Sequence, residues 1–239
     1  MKYSFERRAL SGLGMFLTLC LMAITASAQM RNPKRTDDAA RHATAAAKVF
    51  NEIMGVREKS IPRDLIEKAE AVAVFPGVVK AAFIFGGNGG QGVISRRTTQ
   101  GWSAPAFFNL GGGSFGAQIG AQKTDYVLLI MNDGGLKGLL EDKFEIGGEA
   151  SVAAGPVGRT ASASTNVTLD AGILSYSRTK GAFIGASLKG AVISPDNDLN
   201  EAFYGEKGRD LLTDRTKTRA QIPTAVRIFP QTLSRYSRR

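Results

Sequence analysis

The chain has 239 residues, of which 43% are hydrophobic, 22% charged and 8% aromatic, and its formal net charge is +10. That mixture excludes a disordered tail protein and suits one globular domain with appendages. A core of about 160 residues buries roughly two thirds of its unfolded surface without needing disulfides, and beyond the first thirty residues no apolar run approaches the roughly 18 residues of a membrane span.

The first 28 residues read as a secretory signal peptide. Lys2, Arg7 and Arg8 form a basic start, Ala9 to Ile24 is largely apolar, and Ala26-Ser27-Ala28 is an A-x-A cleavage site before Gln29. The one cysteine, Cys20, follows Leu19, where a lipoprotein signal wants a small residue, so cleavage after Ala28 is preferred over lipidation. The mature chain then lacks cysteine, which removes thiol catalysis, disulfides and thiolate metal sites together. The expected location is periplasmic or secreted.

Residues 29–37 read as a flexible basic arm. Residues 38–57 read as a helix, because Ala39, Ala43, Ala46, Phe50 and Ile53 recur at a spacing of three to four and form a stripe fit to pack on a core. Ser60 is expected to start a second, short helix with Pro62 in its first turn and Leu65, Ile66 and Ala69 inward. From Ala71 the period changes to two. Strands are predicted at Ala71–Phe75, Lys80–Phe85, Gln91–Arg97, Phe115–Ala121, Thr124–Met131, Ala161–Asp170 and Ala182–Val192, separated by Gly, Pro and Asn-Asp-Gly punctuation. The 28 glycines, many inside strand patterns, imply a sharply bent sheet. Helices are expected at Gly135–Glu141 and Asn200–Thr213. The fold class is therefore α+β: a single domain over 38–220 with a strongly curved, antiparallel, glycine-rich or barrel-like sheet, N-terminal helices and a short C-terminal helix.

The charge is unevenly spread. Residues 46–205 hold fifteen basic and fifteen acidic residues, whereas 206–239 hold nine and three. Residues 221–239 are accordingly read as a basic C-terminal tail. The excess, with Arg215, Lys217, Arg219, Arg227, Arg235, Arg238 and Arg239, points to an anionic surface as partner. Nucleic acid is disfavoured, since the aromatic interleaving of a single-strand binder is missing.

Three patterns resemble catalytic or cofactor motifs. Gly87-Asn88-Gly89-Gly90-Gln91-Gly92 and Gly111-Gly112-Gly113-Ser114-Phe115-Gly116 both satisfy G-x-G-x-x-G, but a dinucleotide site needs that loop to open a helix, and period-two patterns follow both. Gly112–Gly116 also fits G-x-S-x-G. The only histidine, His42, lies upstream of Ser114 on a charged helix, against the hydrolase order, and reads as an exposed residue. The carboxylates Asp133, Glu141, Asp142, Glu145, Glu149 and Asp170 lack calcium-loop spacing and would need the fold to gather them. No cofactor or metal is expected.

Ile61-Pro62, Ala73-Val74-Phe75-Pro76, Gly101-Trp102-Ser103-Ala104-Pro105-Ala106-Phe107, Gly116-Ala117-Gln118-Ile119-Gly120, Gly155-Pro156-Val157-Gly158-Arg159, Ser175–Gly181 and Phe203-Tyr204-Gly205 occur in the order found in the SYLF domain. Together they make the chain resemble that family from about residue 40 to the 220s. The resemblance implies a non-catalytic module: eukaryotic SYLF domains sit beside SH3 or FYVE modules in trafficking proteins, bind phosphoinositides and, in the yeast members, actin. Bacterial members usually stand alone behind a signal peptide. In the trafficking proteins an N-terminal amphipathic helix helps membrane contact; the comparable stretch here, 38–57, is alanine-rich and less suited to deep insertion.

The expected function is thus non-catalytic recognition of anionic phospholipid or phosphoinositide-like headgroups in the cell envelope. Lys80, Arg96, Arg97, Arg159, Arg178 and Lys180 are the candidate lipid-binding residues, because they fall at strand ends or turns where cations and glycine-loop N–H groups could converge on a phosphate. The opposing reading makes them solvated charges that protect sheet edges. Trp102, Phe107 and Phe108 could anchor at an interface or fill the core. Two rivals remain, an envelope-acting enzyme using carboxylates and a scaffold binding a protein partner.

Overall fold

The helices follow from where small and large apolar residues fall. The computed structural model describes residues 33–56, 59–79, 89–112, 123–148, 150–158, 171–186, 188–213 and 221–237. Helix α1 spans Pro33–Gly55, and Ala39, Ala43, Ala46, Ala47, Phe50 and Ile53 line its buried face. Pro33 stands at the first helical position, where its missing N–H costs nothing, so the helix starts inside the stretch expected to be a flexible arm. The rest of that arm and the expected signal peptide lie outside the described residues. Helix α2, Arg63–Lys68, begins three residues later than Ser60 because Pro62 is held extended at φ −56°, ψ 131°.

Ten strands form one sheet among the described residues: β1 (Ala71–Val79), β2 (Gly90–Thr98), β3 (Gly101–Trp102), β4 (Ala106–Gly111), β5 (Lys123–Ile130), β6 (Phe144–Glu145), β7 (Val152–Ala154), β8 (Ile173–Thr179), β9 (Ala182–Gly185) and β10 (Val192–Pro195). The order is β6-β10-β4-β2-β1-β5-β8-β7, with β3 on β2 and β9 on β8. Helix α3 (Asp133–Leu139) follows β5, and α4 (Asn197–Tyr204), α5 (Gly208–Thr213) and α6 (Ile228–Tyr236) follow β10. The expected strands at 80–85, 115–121 and 161–170 lie outside the described residues. Among the named strands, β7–β8 departs from the antiparallel expectation by running parallel, and the 18 residues 155–172 between them exceed the dozen or so that such a connection needs. The single strand expected over 182–192 is two, parted by a turn with Gly190 at φ 84°.

The sheet curls strongly into a half-barrel. A bulge at Pro76-Gly77 shifts the β1–β5 register between Phe75 and Val78, with Gly77 at φ 59°. A bridge between Ile146 and Ala150 ties the end of β6 to the start of β7, so the two edges of the sheet are brought together. Close approach enforces glycine at two points in particular. A Cβ on Gly155 would run into the Tyr176 ring, and one on Gly185 into the carbonyl oxygen of Gly155.

Two cores result. Phe75, Ile94, Phe108, Leu110, Tyr126, Leu128, Ile130 and Ile193 cluster with Phe144 and Ile146 from one edge, Ala150 near the other, and Leu139 and Leu212 from α3 and α5. Because both edges and the central strands share this cluster, it is the inside of the curl. Val72, Val74, Phe107, Val127, Leu129, Leu174 and Tyr176 face the opposite way and pack under α1, α2, α4 and α6. Burial on both faces explains why β1 and β5 read as continuous apolar runs.

The C-terminal stretch corrects the sequence expectation. Residues 221–237 are not a solvated tail: a 3-10 turn at Thr224–Val226 and helix α6 bury Ile222, Val226, Phe229 and Leu233, and Tyr236 packs edge-on to Phe50 at 5.9 Å. Trp102 is core, its Nε1 donating to Ser237 Oγ at 2.9 Å. The expected helix over 200–213 is broken at Gly205, whose φ of 78° closes α4. Phe229→Ala is expected to destabilise the domain by about 3–5 kcal/mol, as truncation of a fully buried aromatic does; denaturant unfolding checks this, and a loss below about 0.5 kcal/mol would mark a solvated tail instead.

Candidate functional site

Three of the six predicted cations are built into the fold. Arg97 donates from Nε to the Ala69 carbonyl at 2.9 Å and from a terminal nitrogen to the Ile66 carbonyl at 2.5 Å, closing the end of α2. Its guanidinium also lies 4.2 Å from the centre of the Trp102 ring. Arg96 donates to the Leu212 carbonyl on α5 at 3.0 Å. Arg178 donates twice to Asp125 Oδ2, at 2.9 and 2.7 Å, and once to Glu52 Oε2 at 2.5 Å. Burial works against its charge, yet the two carboxylates outweigh that and hold its pKa above the usual arginine value.

Strand register also separates these groups. Ala71 pairs with Arg96 and Ile130, and Ile130 pairs with Ile173, so Arg178 stands five residues, about 17 Å, along β8 from the row of Arg96. Arg96 and Arg97 therefore do not converge with Arg178 and Lys180 on one headgroup. Lys80 and Arg159 lie outside the described residues. Lys180 is exposed, at φ 49° in the two-residue loop it shares with Gly181.

The carboxylates do not form a catalytic set among the described residues. A surface cavity of about 620 Å³ is lined by Gly134, Lys137, Gly138, Glu141, Asp142 and Lys143, a mixture of both signs with no nucleophile. Asp133 and Glu145 are exposed outside that lining, and Glu149 and Asp170 are not among the described residues. No group of three or more His, Cys, Asp or Glu is placed to hold a metal among the described residues. The first glycine motif runs into strand β2 rather than a helix, and Ser114 with the second motif beyond Gly112 lies outside the described residues.

His42 corrects another expectation. It is half-buried, with its ring centre 6.3 Å from that of Phe107. Burial and then the Arg41 charge push its pKa below the ordinary 6.5, against the opposing pull of Asp38 and Asp196. This is the environment of a packed helix residue, not of an aligned general base.

Unpaired cations gather at one end of the sheet. Asp125 pairs with Arg178 across β5 and β8, and the Thr124 and Thr179 hydroxyls bond at 2.9 Å one step further on. Lys123 precedes Thr124 at the start of β5 and Lys180 follows Thr179 in the β8–β9 loop, so both lie at this end of the sheet, and Val79 pairs with Lys123 on the other side. Neither lysine is ion-paired with a described residue. The sequence reading missed Lys123, because its place beside Lys180 depends on strand pairing and no local motif marks it.

Two outcomes follow. Arg178→Ala is expected to cost about 2 kcal/mol, discounted from a fully buried pair because the site is partly solvated, by thermal or denaturant unfolding. For His42, the lowered folded pKa means that stability is complete above pH 6.5 and is lost as pH falls through that folded value, because the unfolded state takes up the proton first. His42→Gln is expected to flatten this slope in denaturant titrations between neutral and mildly acid pH.

The fold and these surfaces can be set beside known proteins. The family model described as Ysc84, Las17-binding protein actin regulator, matches residues 111–236. LAS seventeen-binding protein 3 of Saccharomyces cerevisiae is 34% identical over 160 residues, covering 65% of this chain and 34% of its own length. Protein YSC84 of the same yeast is 30% identical over 194 residues, covering 79% of this chain and 41% of its own. The human SH3 domain-containing YSC84-like protein 1 is 29% identical over 210 residues, covering 85% and 61%. The chain thus spans between about a third and three fifths of these relatives. With more than half of its residues under the family model, from the end of β4 to the last turn of α6, the chain belongs to the Ysc84, or SYLF, family.

Proposed function

We propose that this domain is a non-catalytic binder of anionic phospholipid surfaces in the cell envelope, reached through the leader read in residues 1–28. The observation that carries the reading is that Lys123 and Lys180 stand at one end of the sheet with no ion pair to a described residue, while Arg96, Arg97 and Arg178 are spent on the fold. Each such lysine near an anionic surface contributes about 1 kcal/mol, within a Debye length. The relatives' names, which speak of binding Las17 and of SH3 domains, favour a second reading in which the same family domain meets a protein partner. The carbonyl- and carboxylate-bound arginines need no catalytic role in either case.

Cosedimentation of the full chain with neutral and anionic vesicles, at low and at physiological salt, tests the first reading. Binding is expected on anionic vesicles only, and Lys123→Gln with Lys180→Gln should weaken it about fivefold per lysine. Equal binding to neutral and anionic vesicles, or none, counts against the lipid reading and moves the protein-partner reading ahead.

A further inference from the structure

Four large apolar side chains are substantially exposed among the described residues: Val56, Val79, Ile184 and Ile228. Two of them flank the sheet end that carries Lys123 and Lys180, Val79 at a strand end itself and Ile184 three residues in along the β8–β9 hairpin. Val79, 39% exposed, is the cross-strand partner of Lys123. Ile184, 59% exposed, lies on β9 opposite Ser177, two residues behind Ala182, which closes the Lys180-Gly181 loop. An isoleucine that is more than half exposed on a short edge strand gives up burial free energy that a partner surface could recover.

The base of this sheet end is rigid. Lys180 and Gly181, at φ 49° and 81°, form the tight two-residue loop that matches strand twist. Beneath it the hydroxyl pair Thr124–Thr179 joins β5 to β8. One step lower, Arg178 holds Asp125 and Glu52, and Asp125 Oδ1 accepts the Gly77 N–H from the β1 bulge at 2.8 Å. Asp125 and Glu52 are thereby neutralised, so among the described residues Lys123 and Lys180 are the charges left at this tip.

Between Pro33 and Gly55 helix α1 exposes no large apolar side chain. Ala39, Ala43, Ala46, Phe50 and Ile53 are all at or near full burial against the sheet, and presenting that face to a bilayer would require unpacking the outer core. Its outward residues, such as Thr44 and Lys48, are polar or charged.

Resting on the lipid reading above, we propose that the domain meets an anionic phospholipid surface end-on, through the tips of β1, β5 and the β8–β9 hairpin. Lys123 and Lys180 engage headgroup phosphates, Val79 and Ile184 enter the interfacial layer, and α1 stays docked on the sheet. Ile184 stands three residues, about 10 Å, behind Gly181 at the hairpin tip, at the far limit of the roughly 5–10 Å depth of interfacial burial.

The test uses the full chain with its single cysteine removed by Cys20→Ser and one cysteine placed at Val79, Ile184, Thr44 or Asp210 for an environment-sensitive fluorophore. Thr44 reports from the exposed face of α1. Asp210 reports from α5, which is bonded to Arg96 in the row about 17 Å away. With phosphatidylcholine–phosphatidylglycerol vesicles, blue shifts are expected from positions 79 and 184 and none from 44 or 210. Ile184→Ser should lower vesicle affinity about fivefold while leaving thermal unfolding unchanged, since the side chain is largely outside the core. Sedimentation with vesicles accompanied by a shift at Thr44, or by none at 79 and 184, overturns the end-on face and leaves the lipid reading standing. Failure to sediment at all overturns both.

Discussion

Arg178 ties together four elements that the chain supplies far apart. Its guanidinium spans Asp125 on β5 and Glu52 on α1, and Asp125 in turn receives the N–H of Gly77 in the β1 bulge. A half-buried arginine between two carboxylates is worth having only when all three are satisfied, and here every partner is in place. The clamp sets where α1 crosses the sheet, keeps the bulge closed, and consumes the negative charge that would otherwise sit below Lys123 and Lys180. The character of that sheet end depends on it.

The curl of the sheet obeys a second constraint, which is lack of space. The Gly155 backbone lies on the Tyr176 ring and Gly185 lies on Gly155, so any side chain at either glycine would force the strands apart. Closing the sheet puts aromatic residues on both of its faces: Phe107 looks out toward α1 and α4, and the adjacent Phe108 looks into the curl. The buried amide of Asn200 reads the Phe107 backbone from both sides, accepting from its N–H and donating to its carbonyl at 2.9 Å each. Helix α6 then completes the outer layer, with Trp102 bonded to Ser237 just past its end. A fold so dependent on its final turn has little room for a purely electrostatic tail.

The proposed lipid reading rests on how the cations divide. An arginine that caps a helix or bridges strands is poorly available to a phosphate, because its guanidinium is already engaged by carbonyls or carboxylates. Lysine, with one compact charge on a flexible stem, is the better choice for a solvent-facing tip. The cavity near α3 gathers acids and bases together, which suits neither a headgroup nor a carboxylate pair poised for acid–base work.

Much of the architecture was legible before any coordinates. The stripe of Ala39, Ala43, Ala46, Phe50 and Ile53 marks α1, the switch to period two at Ala71 marks the sheet, and the glycine excess marks its curvature, since each rests on neighbours within a few residues. Local signals could not reveal that Pro33 starts α1, that Phe229 and Leu233 make residues 221–237 part of the core, or that His42 is packed by Phe107. Among the candidate cations, composition alone could not separate Arg96, Arg97 and Arg178, which find carbonyls and carboxylates, from Lys180, which stands exposed at a loop tip. The sequence by itself determined the α+β class and the family. Only the tertiary structure decided which charges are free, because that depends on strand register and on partners dozens of residues away.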